Sequence, residues 1–196
     1  MLARTDRTTF RQRPQRGSFD PEVMNAILDE ALVCTVAFVE DGRPVSIPTT
    51  HWRMGERVLF HGGQGSRLAR AMAAGAELCV TVTLVDGLVL ARSAFHHSMN
   101  YRSVILFGRA EEVSDPAEKE AAFVALIEKL APGRYAGVRP PTEKELAATL
   151  LLALPITEGG AKTRSGPPID DEADMSWPVW SGVVPLSLAR GEPVAG

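Results

Sequence analysis

The chain has 196 residues, 45% of them hydrophobic, and a formal net charge of −3. That length fits one domain with a sizeable buried core, and the negative balance excludes general nucleic-acid binding. No window reaches 18 uninterrupted apolar residues, and Met1-Leu2-Ala3-Arg4-Thr5-Asp6-Arg7 lacks an apolar signal core, so a soluble cytoplasmic protein with no membrane partner is expected.

Residues 1–18 hold Arg4, Arg7, Arg11, Arg13 and Arg16 and read as an extended, solvated basic arm, the alternative being a clasp on a partner subunit. Asp20-Pro21-Glu22 has the form of a helix start, with Val23, Ile27, Leu28 and Leu32 at helical spacing to about Ala31. Val33–Val39 reads as a strand, Glu40-Asp41-Gly42-Arg43 as a hairpin turn, and Pro44–Trp52 as the return. After a turn at Met54–Arg57 comes a third strand, Val58–His61. A helix from Ser66 to about Ala74 is stopped by Gly75. Glu77–Val85 and Leu88–Ala94 read as a hairpin about Asp86-Gly87. Ser103–Ala110 is a strand, and Asp115-Pro116 opens a helix that Pro132-Gly133 closes. Thr142 and Glu145 stand at capping-box spacing, Thr149–Thr157 is a last strand, and 158–175 is read as loop. Many antiparallel strands with few crossovers point to a mainly β fold with peripheral helices, a Greek-key-like barrel in one domain spanning 1–196.

Cys34 and Cys79 lie in apolar runs and read as buried free thiols. The four histidines are His51, His61, His96 and His97. No nucleophile elbow accompanies them, adjacent histidines on a strand face opposite ways, and no acidic residue stands at ligand spacing. No metal is expected. The stretch Phe60-His61-Gly62-Gly63-Gln64-Gly65-Ser66-Arg67 is the strongest site signal. A strand, a glycine-rich turn and a capped helix start offer free N–H groups and a guanidinium to a phosphate, or else form an ordinary capped helix with a surface arginine. Its glycine spacing fits neither a dinucleotide fingerprint nor an NTPase loop. Beside it runs a polar line: Ser46, Pro48, Thr49 and His51, then Asn100, Arg102 and Ser103.

Several motifs together resemble the pyridoxamine 5′-phosphate oxidase-related flavin-nucleotide-binding proteins, whose fold is the FMN-binding split β-barrel. They are Asp41-Gly42-Arg43-Pro44 with Ser46-Ile47-Pro48-Thr49, Phe60-His61-Gly62 with Gly65-Ser66-Arg67, Asp86–Arg92, Phe95–Val104 with Phe107-Gly108, Lys162–Pro167, and Trp180–Leu186. The run His97-Ser98-Met99-Asn100-Tyr101-Arg102-Ser103-Val104 is the most specific. The resemblance implies a homodimer with flavin at the subunit interface and the 158–196 segment nearby. It implies that Ser46, Ile47, Pro48 and Thr49 pass along the flavin ring, that His61 and Gly62 end a strand beside it, and that Ser66 and Arg67 hold the phosphate. Arg102 and Ser103 would border the ring, with Trp180 near them. Asn100, Lys162 and Arg164 would serve the adenylate of FAD if FAD replaces FMN. His51 and His61 are the candidates to line the substrate face or relay protons.

The departures are specific. The oxidases follow the Ser-Arg pair with Lys, where this chain has Leu68. They place Lys on the second strand, where it has His51. The substrate-gripping Arg-x-His end is absent from Ala189–Gly196. The expectation is therefore a flavin-dependent oxidoreductase of unknown substrate rather than a true pyridoxamine 5′-phosphate oxidase. The alternative is a non-catalytic binding module for flavin, deazaflavin or haem.

Overall fold

The computed structural model describes residues 1–196. The strands are β1 (Gly17–Ser18), β2 (Val33–Glu40), β3 (Arg43–Thr50), β4 (Trp52–Met54), β5 (Arg57–Gly63), β6 (Leu78–Leu90), β7 (Ser98–Gly108), β8 (Glu111–Glu112), β9 (Thr149–Pro155), β10 (Glu158–Arg164) and β11 (Gly182–Pro185). The helices are α1 (Pro21–Glu30), α2 (Arg67–Ala73), α3 (Pro116–Leu130) and α4 (Glu143–Ala148). One sheet runs β1-β10-β7-β6-β2-β3 with β11 added to β6, and a second runs β4-β5-β9-β8. Every strand pair is antiparallel. The two sheets face each other without closing fully, which is a split barrel.

Local chemistry sets the joints. Asp41 and Gly42 both take positive φ, 51° and 71°, as a two-residue hairpin turn whose twist matches its strands requires. Asp20, Ser66, Asp115 and Thr142 each accept a hydrogen bond from a backbone N–H in the first helical turn, and Thr142 with Glu145 completes the capping box. The barrel core joins Met24, Ile27 and Leu28 of α1 to Val36, Phe38, Phe60, Met72, Val80, Leu106 and Leu152. A second core lies on the other side of the smaller sheet, where Trp52, Leu59, Leu151 and Ala153 meet Ala122 and Leu126 of α3. Because that sheet is covered on both faces, β9 reads as an unbroken apolar run. No helix is long and apolar enough to cross a membrane.

Five sequence expectations are corrected. Asp86-Gly87 is not a hairpin turn: β6 continues through it, with a register shift between Val85 and Gly87. The Asp86 carboxylate accepts from Arg102 on the neighbouring strand, and Gly87 lies so close to β11 that a Cβ would stand 2.9 Å from Val183 and 3.1 Å from the Val184 oxygen. The β7 strand starts at Ser98 rather than Ser103. Residues 158–164 form a strand, because Gly159 and Gly160 serve close packing and not a turn; a Cβ on Gly159 would stand 2.6 Å from the Ile105 oxygen. The expected second strand is split into β3 and β4 at His51. The basic arm is docked, not solvated. Thr8 is buried, Leu2 N donates to Phe19 O at 2.9 Å, and Arg7 bridges Glu77 and Glu158 while covering the Phe107 ring.

Candidate functional site

The β3 strand is the edge of the larger sheet, paired only with β2. Alternate backbone groups on its free side are therefore open to a ligand or a second chain. Pro44 and Pro48 are tolerated there because an edge strand can forgo an N–H. Side chains alternate across the pleat: Ile47 and Thr49 turn inward, while Ser46 and Pro48 are exposed. Ile47 and Thr49 line a cavity of about 90 Å³ with Phe60, His61, Ser66 and Leu68. The end of β5, the glycine turn and the first turn of α2 thus meet β3.

Gly62 is required at that junction. A Cβ would lie 3.0 Å from Ala69 Cβ and 3.1 Å from the Ser66 side chain, so its absence lets α2 press against β5. Ser66 Oγ accepts from Ala69 N at 3.3 Å. Arg67 extends over the β2–β3 turn, where its Nε and Nη2 donate to Glu40 Oε2 at 2.9 and 2.6 Å. Both partners are substantially exposed, so this is a weak, exchangeable ion pair. Leu68, in contrast, is buried in the barrel core. A residue at position 68 has its side chain directed away from any phosphate held by Ser66 and Arg67.

The two candidate histidines part company. His61 lies on the α3 side of the smaller sheet, its ring 5.7 Å from Trp52 and 5.9 Å from Phe123. Desolvation by these rings lowers its pKa from the usual imidazole value, although the residue keeps an exposed edge. His51 is fully buried, which overturns the expectation that it lines an open substrate face. Its Nε2 lies 3.0 Å from the Leu28 oxygen, which Lys129 Nζ also reaches at 2.9 Å. Desolvation, reinforced by the Lys129 charge, pushes His51 down to about 4.

The later candidates lie elsewhere. Between β3 and β7 stand β2 and β6, so three strand spacings, roughly 14 Å, separate the Ser46–Thr49 edge from Ser103. Ser103 donates to the Lys162 oxygen at 3.1 Å. Asn100 donates to the Gly166 oxygen at 3.2 Å and accepts from Arg164. Arg102 donates to both Asp86 oxygens at 2.9 and 2.7 Å and grips Glu30 with its two Nη atoms. These bonds hold the Glu30 and Asp86 carboxyls below their usual range. Trp180 is 62% exposed, its ring against Gly182. One chain therefore places Ser46–Thr49, Gly62, Ser66 and Arg67 at the β3 edge with His61 across β5 from them, while Arg102 and Ser103 lie on opposite faces of β7 and Trp180 stands at Gly182.

Two features escaped sequence reasoning. Arg92 donates through its backbone and guanidinium to Asp170 at 2.8 Å each, which pins the 165–181 segment to β6. His96 has acidic neighbours after all, from far along the chain: its Nε2 is 3.1 Å from Asp171 Oδ2, and Asp174 stands close by. Nothing in local spacing signals contacts across more than 70 residues.

The family model for pyridoxamine 5′-phosphate oxidase matches residues 20–163. Among solved structures, the chain is similar to the flavocytochrome Anf3 from Azotobacter vinelandii, at 40% identity and a TM-score of 0.90, covering 98% of this chain and 89% of that one. It is similar to the FAD and heme binding protein from Mycobacterium smegmatis at 42% identity and a TM-score of 0.88, covering 92% and 89%. An FAD-binding protein from Mesorhizobium loti shares the fold at 17% identity and a TM-score of 0.52, over 76% and 98%. No curated protein matches the chain. The model match spans β2 to β10 and all four helices, and on that footing the chain belongs to the pyridoxamine 5′-phosphate oxidase family.

Proposed function

We propose that this protein binds a flavin nucleotide, FAD in preference to FMN, and uses it for electron transfer rather than for pyridoxamine 5′-phosphate oxidation. The observation that carries the proposal is the pair of near-full-length structures at 40 and 42% identity, one a flavocytochrome and the other an FAD and heme binding protein. The geometry fits. An open edge strand, a small cavity and the Ser66–Arg67 turn offer, in order, backbone groups for a flat ring, a wall for its edge and donors for its phosphate. A bound flavin supplies hydride or single-electron transfer, and the protein supplies position and electrostatics. Ser66 and Arg67 anchor the phosphate once Arg67 releases Glu40. His61 lies on the far side of β5 and orders that strand against Trp52 and Phe123. With position 68 turned into the core and position 51 buried, the cationic side chains that the oxidases use for the vitamin phosphate have no counterpart here.

A second copy of the chain would complete the site. The outer face of the larger sheet carries Val33, Thr35, Ala37 and Val39 from β2, Cys79, Thr81, Thr83 and Val85 from β6, and Tyr101, Ser103, Ile105 and Phe107 from β7. None of these side chains is charged, and Val33 and Val39 are 55% and 67% exposed. The β2–β6 part of this face is uncharged, while toward β10 it carries Glu158 and Lys162 and Arg7 covers the Phe107 ring; an uncharged patch of this kind suits an isologous contact. Pairing two such faces would bring the Ser103 side of one copy toward the β3 edge of the other. The unpaired cysteines, Cys34 and Cys79, suit a reducing cytoplasm.

Haem is the second reading, favoured because both of the more similar structures name it or imply it. The experiment is reconstitution of the purified protein with FAD, FMN and haem in turn, with stoichiometry read from absorbance. Uptake of FAD at one per chain supports the proposal. Failure to take up either flavin overturns it.

A further inference from the structure

The segment 165–181 lies against the turn that joins β6 to β7 and is fastened at both ends. Arg92 holds Asp170 through its backbone N–H and its guanidinium, at 2.8 Å each, and donates to Ser181 as well. Asn100 and Arg164 both donate to the Gly166 oxygen at 3.2 Å. Between these anchors the Glu172–Asp174 turn closes, with Asp174 N donating to Asp171 O at 2.9 Å. In a 3₁₀ turn the side chains at i and i+3 eclipse, so Asp171 and Asp174 present their carboxylates on one side. That side meets His96, the last residue of the Ala94–His96 turn, whose ring is braced edge-on by Phe95 at 5.3 Å. His96 Nε2 lies 3.1 Å from Asp171 Oδ2. One ligand atom from each of the three residues lies within 4.8 Å of the other two.

Two carboxylates held this close repel each other unless a cation joins them. Asp171 has His96 as its side-chain partner, and the Asp174 carboxylate makes no ion pair and no hydrogen bond. Their neighbour Asp170, by contrast, is paired with Arg92. Arg13, Arg16, Lys162 and Arg164 line the cleft that His96 also borders, but none comes within ion-pair distance of Asp171 or Asp174. Those charges lower the affinity for a cation without occupying the place between the carboxylates. An imidazole nitrogen with two carboxylate oxygens suits a divalent transition metal. Donors about 2.1 Å from one ion stand about 3.0–3.4 Å apart at octahedral or tetrahedral angles, and the His96–Asp171 spacing already meets that. Asp174 is partly exposed, so rotation of its side chain closes the rest. We propose that His96, Asp171 and Asp174 bind a divalent transition-metal ion of the zinc class, which ties the 171–174 turn to the β6–β7 connection. The remaining coordination positions fall to water. The site owes nothing to flavin at the β3 edge.

The test is calorimetric titration of the untagged, chelator-stripped, full-length protein with zinc chloride, and with magnesium chloride for comparison. One zinc per chain should bind more tightly than about 100 μM, and more weakly at pH 5.5 than at pH 7.5 because protons compete for the ligands. Removing even an outer partner of a bound metal weakens it about 10–100-fold, so His96→Ala and Asp174→Asn should each lose at least that much. Asp174→Asn leaves the His96–Asp171 contact intact and so separates a three-ligand site from a simple hydrogen bond. His97→Ala should change nothing, since His97 Nδ1 faces the Ser93 oxygen at 3.0 Å. Cobalt(II) in place of zinc should give visible d–d bands that the His96→Ala variant lacks. The site is overturned if no zinc binds up to about 1 mM, the weak end of specific affinity. Magnesium binding as tightly as zinc, or zinc binding unchanged in folded Asp174→Asn, overturns it equally.

Discussion

Replacing Arg67 with alanine should weaken flavin binding, and the structure bounds by how much. A guanidinium donating to a phosphate oxygen contributes about 1.5–3 kcal/mol net. In the free protein that guanidinium is engaged with Glu40, and both side chains are well exposed to solvent. An exposed pair of this kind is worth about 0.2–1 kcal/mol, which the ligand must displace. The net loss in Arg67→Ala is then about 1–2 kcal/mol, or roughly five- to thirtyfold in Kd. The same arithmetic gives Glu40→Ala the opposite sign. Freed from its surface partner, Arg67 should bind phosphate up to about fivefold more tightly. Quenching of flavin fluorescence on titration measures both. Unchanged affinity in Arg67→Ala, or weaker binding in Glu40→Ala, would refute the assignment of Arg67 to the phosphate.

Further outcomes follow from the packing. The unfolded chain protonates His51 near pH 6.5 while the folded chain resists until about 4, so stability should fall as pH drops through that window, by up to about 3 kcal/mol. Urea unfolding at pH 7 and pH 4.5 should show that slope reduced in His51→Gln. Gly159→Ala forces a Cβ against the Ile105 oxygen and Leu106, and should destabilise by about 1–3 kcal/mol in thermal melts, while Gly63→Ala, with open space around it, should not. Thr35→Arg places a charge in the middle of the uncharged sheet face. It should turn a sedimenting dimer into a monomer and lower flavin content with it; a parent that sediments as a monomer would contradict the shared site.

The elements most legible in the sequence are those fixed by local chemistry. Asp20-Pro21, Ser66 and Thr142-x-x-Glu145 mark helix starts because a cap is made within one turn. Asp41-Gly42 marks its hairpin for the same reason. The same logic misplaces Asp86-Gly87 and Gly159-Gly160. There Gly87 and Gly159 answer to a neighbouring strand at 2.6–3.1 Å and Gly160 to the Phe10 ring at 3.0 Å, requirements set by residues far away in sequence. Charge alone makes the arm look solvated, yet Arg7 finds Glu158 and Glu77, and Arg13 and Arg16 stand near Lys162 and Arg164. At the candidate site, the Gly62–Arg67 turn and the β3 edge were legible as a unit. The burial of His51 was not, because a histidine in a polar line looks the same whether it faces solvent or a helix C-terminus.

The central claim is that this barrel carries a flavin. The most direct measurement is the visible spectrum of the purified protein, together with the mass of any ligand released on denaturation. Flavin absorption bands and the mass of FAD are expected. A colourless protein that takes up neither FAD nor FMN on titration would contradict it.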